Sequence, residues 1–170
     1  MTRFLVVPQW QGSPAARAMH LVDGAEAIAG DLPRASTACV EVPASAGEAL
    51  GTGIRRYSAL ARIADAVTDA LGQAAEPAIV VGGDCGVAVP AIAHAAEQHP
   101  DLAVVWFDAH ADLNSPATSP SGAFAGMALR AVFTDLPLPG SGAVAADRVI
   151  LAGAREFDPA EQAFVDEVGL

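Results

Sequence analysis

The chain reads as an α/β protein, a three-layer α/β/α arrangement around a mainly parallel sheet, and three observations lead there. Continuous apolar runs, AIVVGG (78–83), LAVVWF (102–107) and RVILAGA (148–154), have the character of strands buried on both faces. Stretches of helical periodicity separate them, as crossovers between parallel strands require. Two of the runs close directly on polar motifs, GGDC and DAHAD, at the strand ends where open α/β sheets bind ligands.

Taken in order, RFLVVPQW (3–10) and the Thr- and Val-rich TACVEVP (37–43) are short β-type segments. In IRRYSALARIADAVTDAL (54–71), Ile54, Leu60, Ile63, Val67 and Leu71 recur at helical spacing, and Gly72 follows as a stop. AIVVGG is a strand ending in a glycine turn. Residues 87–98 form the next helix, with Pro90 tolerated in the first turn. LAVVWF is a strand followed by a Ser-, Pro- and Gly-rich loop through Gly122. Residues 123–133 are helical, 134–146 loop-like, and RVILAGA a strand. A final amphipathic helix spans 158–169, with Asp158 as N-cap and Pro159 at its first position. No repeat or linker divides the chain, so residues 1–170 are expected to form a single domain.

Composition narrows the function classes. A hydrophobic content of 52% over 170 residues suffices for a globular core. No apolar run approaches the roughly 20 residues that span a bilayer, and the first residues lack a signal-peptide pattern, so no membrane is expected and the cytoplasm is the default. A net charge of −11 opposes nucleic-acid binding; it would suit a small cationic substrate, and also serves plain solubility. All nine basic residues are Arg, which removes Schiff-base and P-loop lysine chemistry. Cys39 and Cys85 are too few for a disulfide scaffold.

The chemistry concentrates in WFDAHADLNSP (106–116). On an extended segment the side chains at i, i+2 and i+4 point the same way, so Asp108, His110 and Asp112 are expected to converge at the mouth of the sheet. Two carboxylates and an imidazole suit Mn²⁺, Fe²⁺ or Zn²⁺ better than Ca²⁺. With Asp84 of GGDC the cleft would hold three carboxylates, and a cation is the natural way to hold them together. The bland alternative makes Asp108 a turn cap, His110 a core histidine and Asp112 a solvated acid.

VVWFDAHADLN, with GGDC upstream and TSPSGAFAGM downstream, resembles the ureohydrolase family of arginases, agmatinases and their relatives. That resemblance covers nearly the whole chain and leans toward arginase through the loop after Asn114. It implies an arginase-like fold and a two-manganese hydrolase acting on linear guanidino or amidino C–N bonds. Asp108 would bridge the metals, while His110 and Asp112 would each bind one. The family's GGDH motif meets Cys85 in place of its ligand histidine: either a ligand better matched to Zn²⁺ or Fe²⁺ than to Mn²⁺, or simply a small buried residue with one metal site lost. Asn114 and Ser121 match the positions that contact the amino-acid end of the substrate.

The departures carry their own expectations. Ala125 stands where arginases place the loop histidine assigned as proton shuttle, and Ala123 where a substrate-contacting Asn is usual. The family's later SxDxDxxDP motif has no counterpart in these residues, so a single ion is the expected limit. The domain therefore reads as truncated, with apolar surface that a homo-oligomer or a complementing chain would cover. The rival function is a non-catalytic, degenerate domain serving as a binding or assembly partner. A phosphate-binding flavodoxin-like fold is a weaker alternative, since no basic residue lies near Gly82 and Gly83. His94 and His99 read as helix-surface or helix-C-terminal residues, His20 as a surface residue, Trp10 and Trp106 as packing residues, and Cys39 as core.

Overall fold

The computed structural model describes residues 2–72 and 77–170. Within them, five parallel-paired strands alternate with five α-helices. The strands are β1 (Arg3–Val7), β2 (Thr37–Cys39), β3 (Ala78–Gly82), β4 (Val104–Phe107) and β5 (Val149–Ala152). The helices are α1 (His20–Asp31), α2 (Tyr57–Gly72), α3 (Ala88–Gln98), α4 (Ala128–Phe133) and α5 (Pro159–Val168). No described helix is long and apolar enough to cross a membrane.

Strand positions follow the apolar runs, but each strand stops earlier than its run. β1 ends at Val7 because Pro8 has no N–H to give the ladder, and Gln9 N turns back to Val7 O at 2.7 Å. Helix α2 starts at Tyr57, not Ile54, because Arg56 sits in the left-handed region at φ 60°. Its guanidinium lies 4.7 Å from the Trp10 ring centre and donates to the carbonyls of Gln11 and Ser13. Helix α1 is not among the elements assigned from the sequence, although Leu21, Val22, Ala25 and Ala29 recur at helical spacing. It buries only Ala25 and leaves His20 exposed in contact with Asp23.

One continuous sheet was expected, and the strands instead form two blocks, β2-β1-β3 and β4-β5. Among the described residues β3 pairs only with β1, and β4 only with β5. Helix α3 bridges the blocks: Ala91 packs on the cluster around Leu5, Val7 and Ile63, whereas Val89 and Ile92 pack with Trp106, Leu113 and Phe124. Above it lies an apolar groove of about 420 Å³, walled by Val80 of β3 and by Val104 and Trp106 of β4. Cys39 is exposed, contrary to its reading as core, because β2 is an outer strand paired only with β1.

Candidate metal centre

The loops after β4 and β5 run side by side because parallel pairing continues past both strands. Asp108 N donates to Ala152 O at 3.2 Å, and Ala109 O accepts from Arg155 N at 2.9 Å. His110 and Glu156 form a further parallel bridge. Beyond it the β4 loop is clamped from two sides. Arg130 N of α4 donates to Asp112 O at 3.1 Å, and Leu113 N donates to Glu161 Oε1 of α5 at 2.9 Å. Glu161 Oε2 also accepts from Asp158 N at 2.8 Å, so one carboxylate closes the start of α5 and holds the loop.

Extended alternation does not persist through the triplet. Asp108 Oδ1 accepts from His110 N at 2.9 Å, a local turn, and Asp112 adopts φ 54°. The turn keeps Asp108 and Asp112 together, as expected, and sets only His110 apart. One ligand atom each from Cys85, Asp108 and Asp112 lies within 4.8 Å of the other two, with Cys85 Sγ 3.9 Å from Asp108 Oδ2. His110 is outside that group. Its side chain is 65% exposed, with Nδ1 3.4 Å from Asp108 Oδ1 and Nε2 3.5 Å from Glu156 Oε2.

Asp84 is also separate, because its oxygens are already used. Oδ1 accepts from Gln9 Nε2 at 2.7 Å and from Gly86 N at 3.0 Å, while Oδ2 accepts from Gly12 N at 2.9 Å. It thereby ties the turn after β3 to the loop after β1. Gly83 is required there: a Cβ would overlap the Gln9 carbonyl oxygen.

Electrostatics set the cluster apart from a solvated acidic patch. Asp112 is 6% exposed, and its Oδ2 has no hydrogen-bond partner among the described residues. Burial first, and then the Asp108 charge, push its carboxyl up to about 7. The Cys85 thiol is driven far above its ordinary range by burial, with Asp112 and Asp108 adding to it. Burial also raises Asp84, against the lowering by Gln9, Gly86 and Gly12. An orphaned, buried carboxylate oxygen beside a thiol and a second carboxylate is a donor set that fits a divalent cation.

The cluster opens into a cleft of about 670 Å³. Asn114 lines it but is largely engaged, with Nδ2 on Asp158 Oδ2 and Oδ1 accepting from Thr118 Oγ1, both at 2.9 Å. Ser121 is exposed, accepts from Ala123 N at 3.2 Å, and is not among the lining residues. Glu156 and Glu161 line the cleft and escape a reading by motif, as does Asp158 beyond its capping role. Their signal lay in the topology: if β4 and β5 pair, REFDPAE must flank DAHAD. Ala125 places a methyl in the wall, its N–H held by Gly12 O at 2.9 Å.

Comparison with known proteins agrees with this geometry. Residues 16–170 match the Arginase family model. The chain is 36% identical over 118 residues to the hepatic arginase of Aquarana catesbeiana, a match over 64% of this chain and 36% of that protein. It is 34% identical over 93 residues to an arginase of Staphylococcus aureus (strain COL), covering 52% and 31% of the two chains. Among solved structures, Bacillus caldovelox arginase superposes with a TM-score of 0.79 at 27% identity, over 99% of this chain and 62% of that one. Entamoeba histolytica arginase, solved with L-ornithine, gives 0.80 at 22% identity over 98% and 62%. The chain thus spans about 62% of these solved arginases and a smaller share of the curated relatives it matches.

Proposed function

The chain belongs to the arginase family, and from that premise we propose that its cleft serves metal-dependent hydrolysis of a linear guanidino or amidino C–N bond. The observation that carries the reading is the convergence of Cys85, Asp108 and Asp112 around the unpartnered Asp112 Oδ2. A divalent cation held there would lower the pKa of a bound water and supply a hydroxide nucleophile at neutral pH. Manganese is the ion the family resemblance implies, and zinc or iron the ions the thiol favours.

The protein's own groups are suited to the remaining tasks. Glu156, Asp158 and Glu161 outnumber Arg155 in the wall and leave it net negative, which favours a planar cation over an anion. His110, exposed between Asp108 and Glu156, is placed to exchange protons with solvent or to join the ligand set after a side-chain rotation. Asn114 offers its amide to the polar end of a substrate, oriented by Asp158 and Thr118. Ser121 would need its loop to turn inward to do the same. Ala125 can transfer no proton, so turnover falls to His110 or Glu156.

The reading also includes a partner and a compartment. We place the protein in the cytoplasm, in keeping with two free cysteines. We assign the edges of β3 and β4, unpaired among the described residues, to contact with a second copy or a complementing chain, supported by the apolar groove between them. That same groove, with Ala125, favours the second reading, a non-catalytic domain acting through assembly.

The deciding experiment is urea release from L-arginine and amine release from agmatine, with Mn²⁺, Co²⁺ or Zn²⁺ added to the purified chain. Turnover that disappears in Asp108→Asn establishes the hydrolase. Absence of turnover with every ion, in a protein that still binds metal, leaves the assembly reading.

A further inference from the structure

We propose that Cys85, Asp108 and Asp112 form a single thiolate-ligated site that selects a thiophilic divalent cation (Zn²⁺, Co²⁺ or Cd²⁺) over Mn²⁺. The inference rests on the metal-dependent reading above and goes beyond it, in that Cys85 is the ligand that decides which ion is held.

Geometry comes first. Metal–sulfur and metal–oxygen bonds of about 2.3 and 2.1 Å, set at a tetrahedral angle, separate the two ligand atoms by about 3.6 Å. Cys85 Sγ and Asp108 Oδ2 stand 3.9 Å apart, so an ion between them needs an adjustment of only a few tenths of an ångström. Asp112 completes one face of the tetrahedron, since all three ligand atoms lie within 4.8 Å of one another. Cys85 and Asp112 both line the cleft, where the small side chain of Ala125 would leave room for water or a substrate atom beside a bound ion.

The second observation is independent of the spacing. Asp112 is 6% exposed; its Oδ2 is sealed from solvent and makes no hydrogen bond of good geometry, although the Cys85 thiol lies against the carboxyl and favours its charged form. Buried carboxylate oxygens are ordinarily hydrogen-bonded, and one left bare beside two other ligand atoms lacks a positive partner. The neighbouring buried carboxylate provides the contrast: Asp84 receives three hydrogen bonds and requires no ion.

Ligand chemistry then selects the ion. Binding replaces the thiol proton, M²⁺ + Cys85–SH giving Cys85–S⁻–M²⁺ + H⁺, with no change of oxidation state. Thiolate favours zinc, cobalt and cadmium, whereas Mn²⁺ prefers oxygen and imidazole donors. The imidazole nearest the cluster belongs to His110, which lies on the outer side of Asp108, between its Oδ1 and Glu156, and shares no ligand position with Cys85 and Asp112.

The test uses the full chain, reduced and metal-free, titrated with Co²⁺ alone and followed by absorption spectroscopy. The expected result is a near-ultraviolet sulfur-to-cobalt charge-transfer band that saturates at one equivalent. Zn²⁺ should abolish the band, and equimolar Mn²⁺ should leave it unchanged. Cys85→Ser should remove the band and weaken Zn²⁺ binding at least about tenfold, whereas Cys39→Ser should retain both. Cys85→His should bind Mn²⁺ more tightly, read as quenching of the free-ion paramagnetic resonance signal. Circular dichroism of the metal-free variants separates a lost ligand from a lost fold, and Asp112→Asn provides a second, isosteric probe of the site. Co²⁺ binding without the sulfur band, unaffected by Cys85→Ser, overturns the inference and leaves the metal-dependent reading standing. Failure of all three ions to bind overturns both.

Discussion

Glu161 is the residue whose removal most directly tests how the β4 loop is held. Its carboxylate is 6% exposed and accepts from Leu113 N at 2.9 Å and Asp158 N at 2.8 Å. Leu113 has no solvent exposure, so truncation to alanine leaves its N–H buried without an acceptor. A hydrogen bond to a charged group such as that from Leu113 N contributes about 1.5–3 kcal/mol, and loss of the capping contact at Asp158 adds about 0.5–2 kcal/mol. Against this stands relief of the repulsion that Glu161 exerts on Asp112. The net expectation for Glu161→Ala is a loss of about 3 kcal/mol, a substantial fraction of the stability of a domain this size. At about 2 kcal/mol per molar urea the unfolding midpoint should fall by roughly 1.5 M. The assay is equilibrium unfolding followed by the fluorescence of the buried Trp10 and Trp106. Glu161→Gln, which retains one acceptor oxygen, should lose about half as much. Glu167→Ala, an exposed acid on the same helix, should change little. A midpoint for Glu161→Ala equal to that of Glu167→Ala would refute the clamp.

Gly83→Ala should prevent native folding or cost several kcal/mol by thermal unfolding, because its Cβ has no space beside Gln9 O, whereas Gly24→Ala, open within α1, should stabilise by about 0.5–1 kcal/mol. Arg130→Lys should lower stability by about 1 kcal/mol, roughly 3 °C in Tm. The Arg130 guanidinium stacks 3.7 Å from the Phe164 ring centre and donates to Leu113 O at 3.1 Å, a pairing that lysine cannot reproduce. Val105→Lys, on the half-exposed outer face of β4, should reduce concentration-dependent association in sedimentation; unchanged association would free the β4 edge of that role.

Much of the fold is legible along the chain because strands buried by helices must be continuously apolar. AIVV, VVWF and VILA are such strands, and α2 and α5 announce themselves by spacing and by the Asp158–Pro159 start. Helix α1 goes unassigned from the sequence although Leu21, Val22, Ala25 and Ala29 recur at helical spacing; the stripe is short, and only Ala25 in it is fully buried. Cys39 reads as core by residue type, yet it sits on an outer strand, and nothing local records which strand lies outermost.

The site divides in the same way. Sequence by itself determined which chemistry was on offer: DAHAD after an apolar strand, a cysteine in the glycine turn, and an acidic chain without lysine. Those are covalent facts, and strand-end placement follows from hydrophobic burial alone. Tertiary structure alone decided which of these groups meet. Asp112 reaches Cys85 because a left-handed turn at φ 54° ends the alternation, and His110 is left facing solvent. Glu161 enters from a helix 48 residues away because β4 pairs with β5. Likewise, only pairing between strands distant in sequence could leave a groove where a continuous sheet was expected. Side-chain convergence depends on the backbone torsions of two or three loop residues and on strand order, and neither is written in residue type.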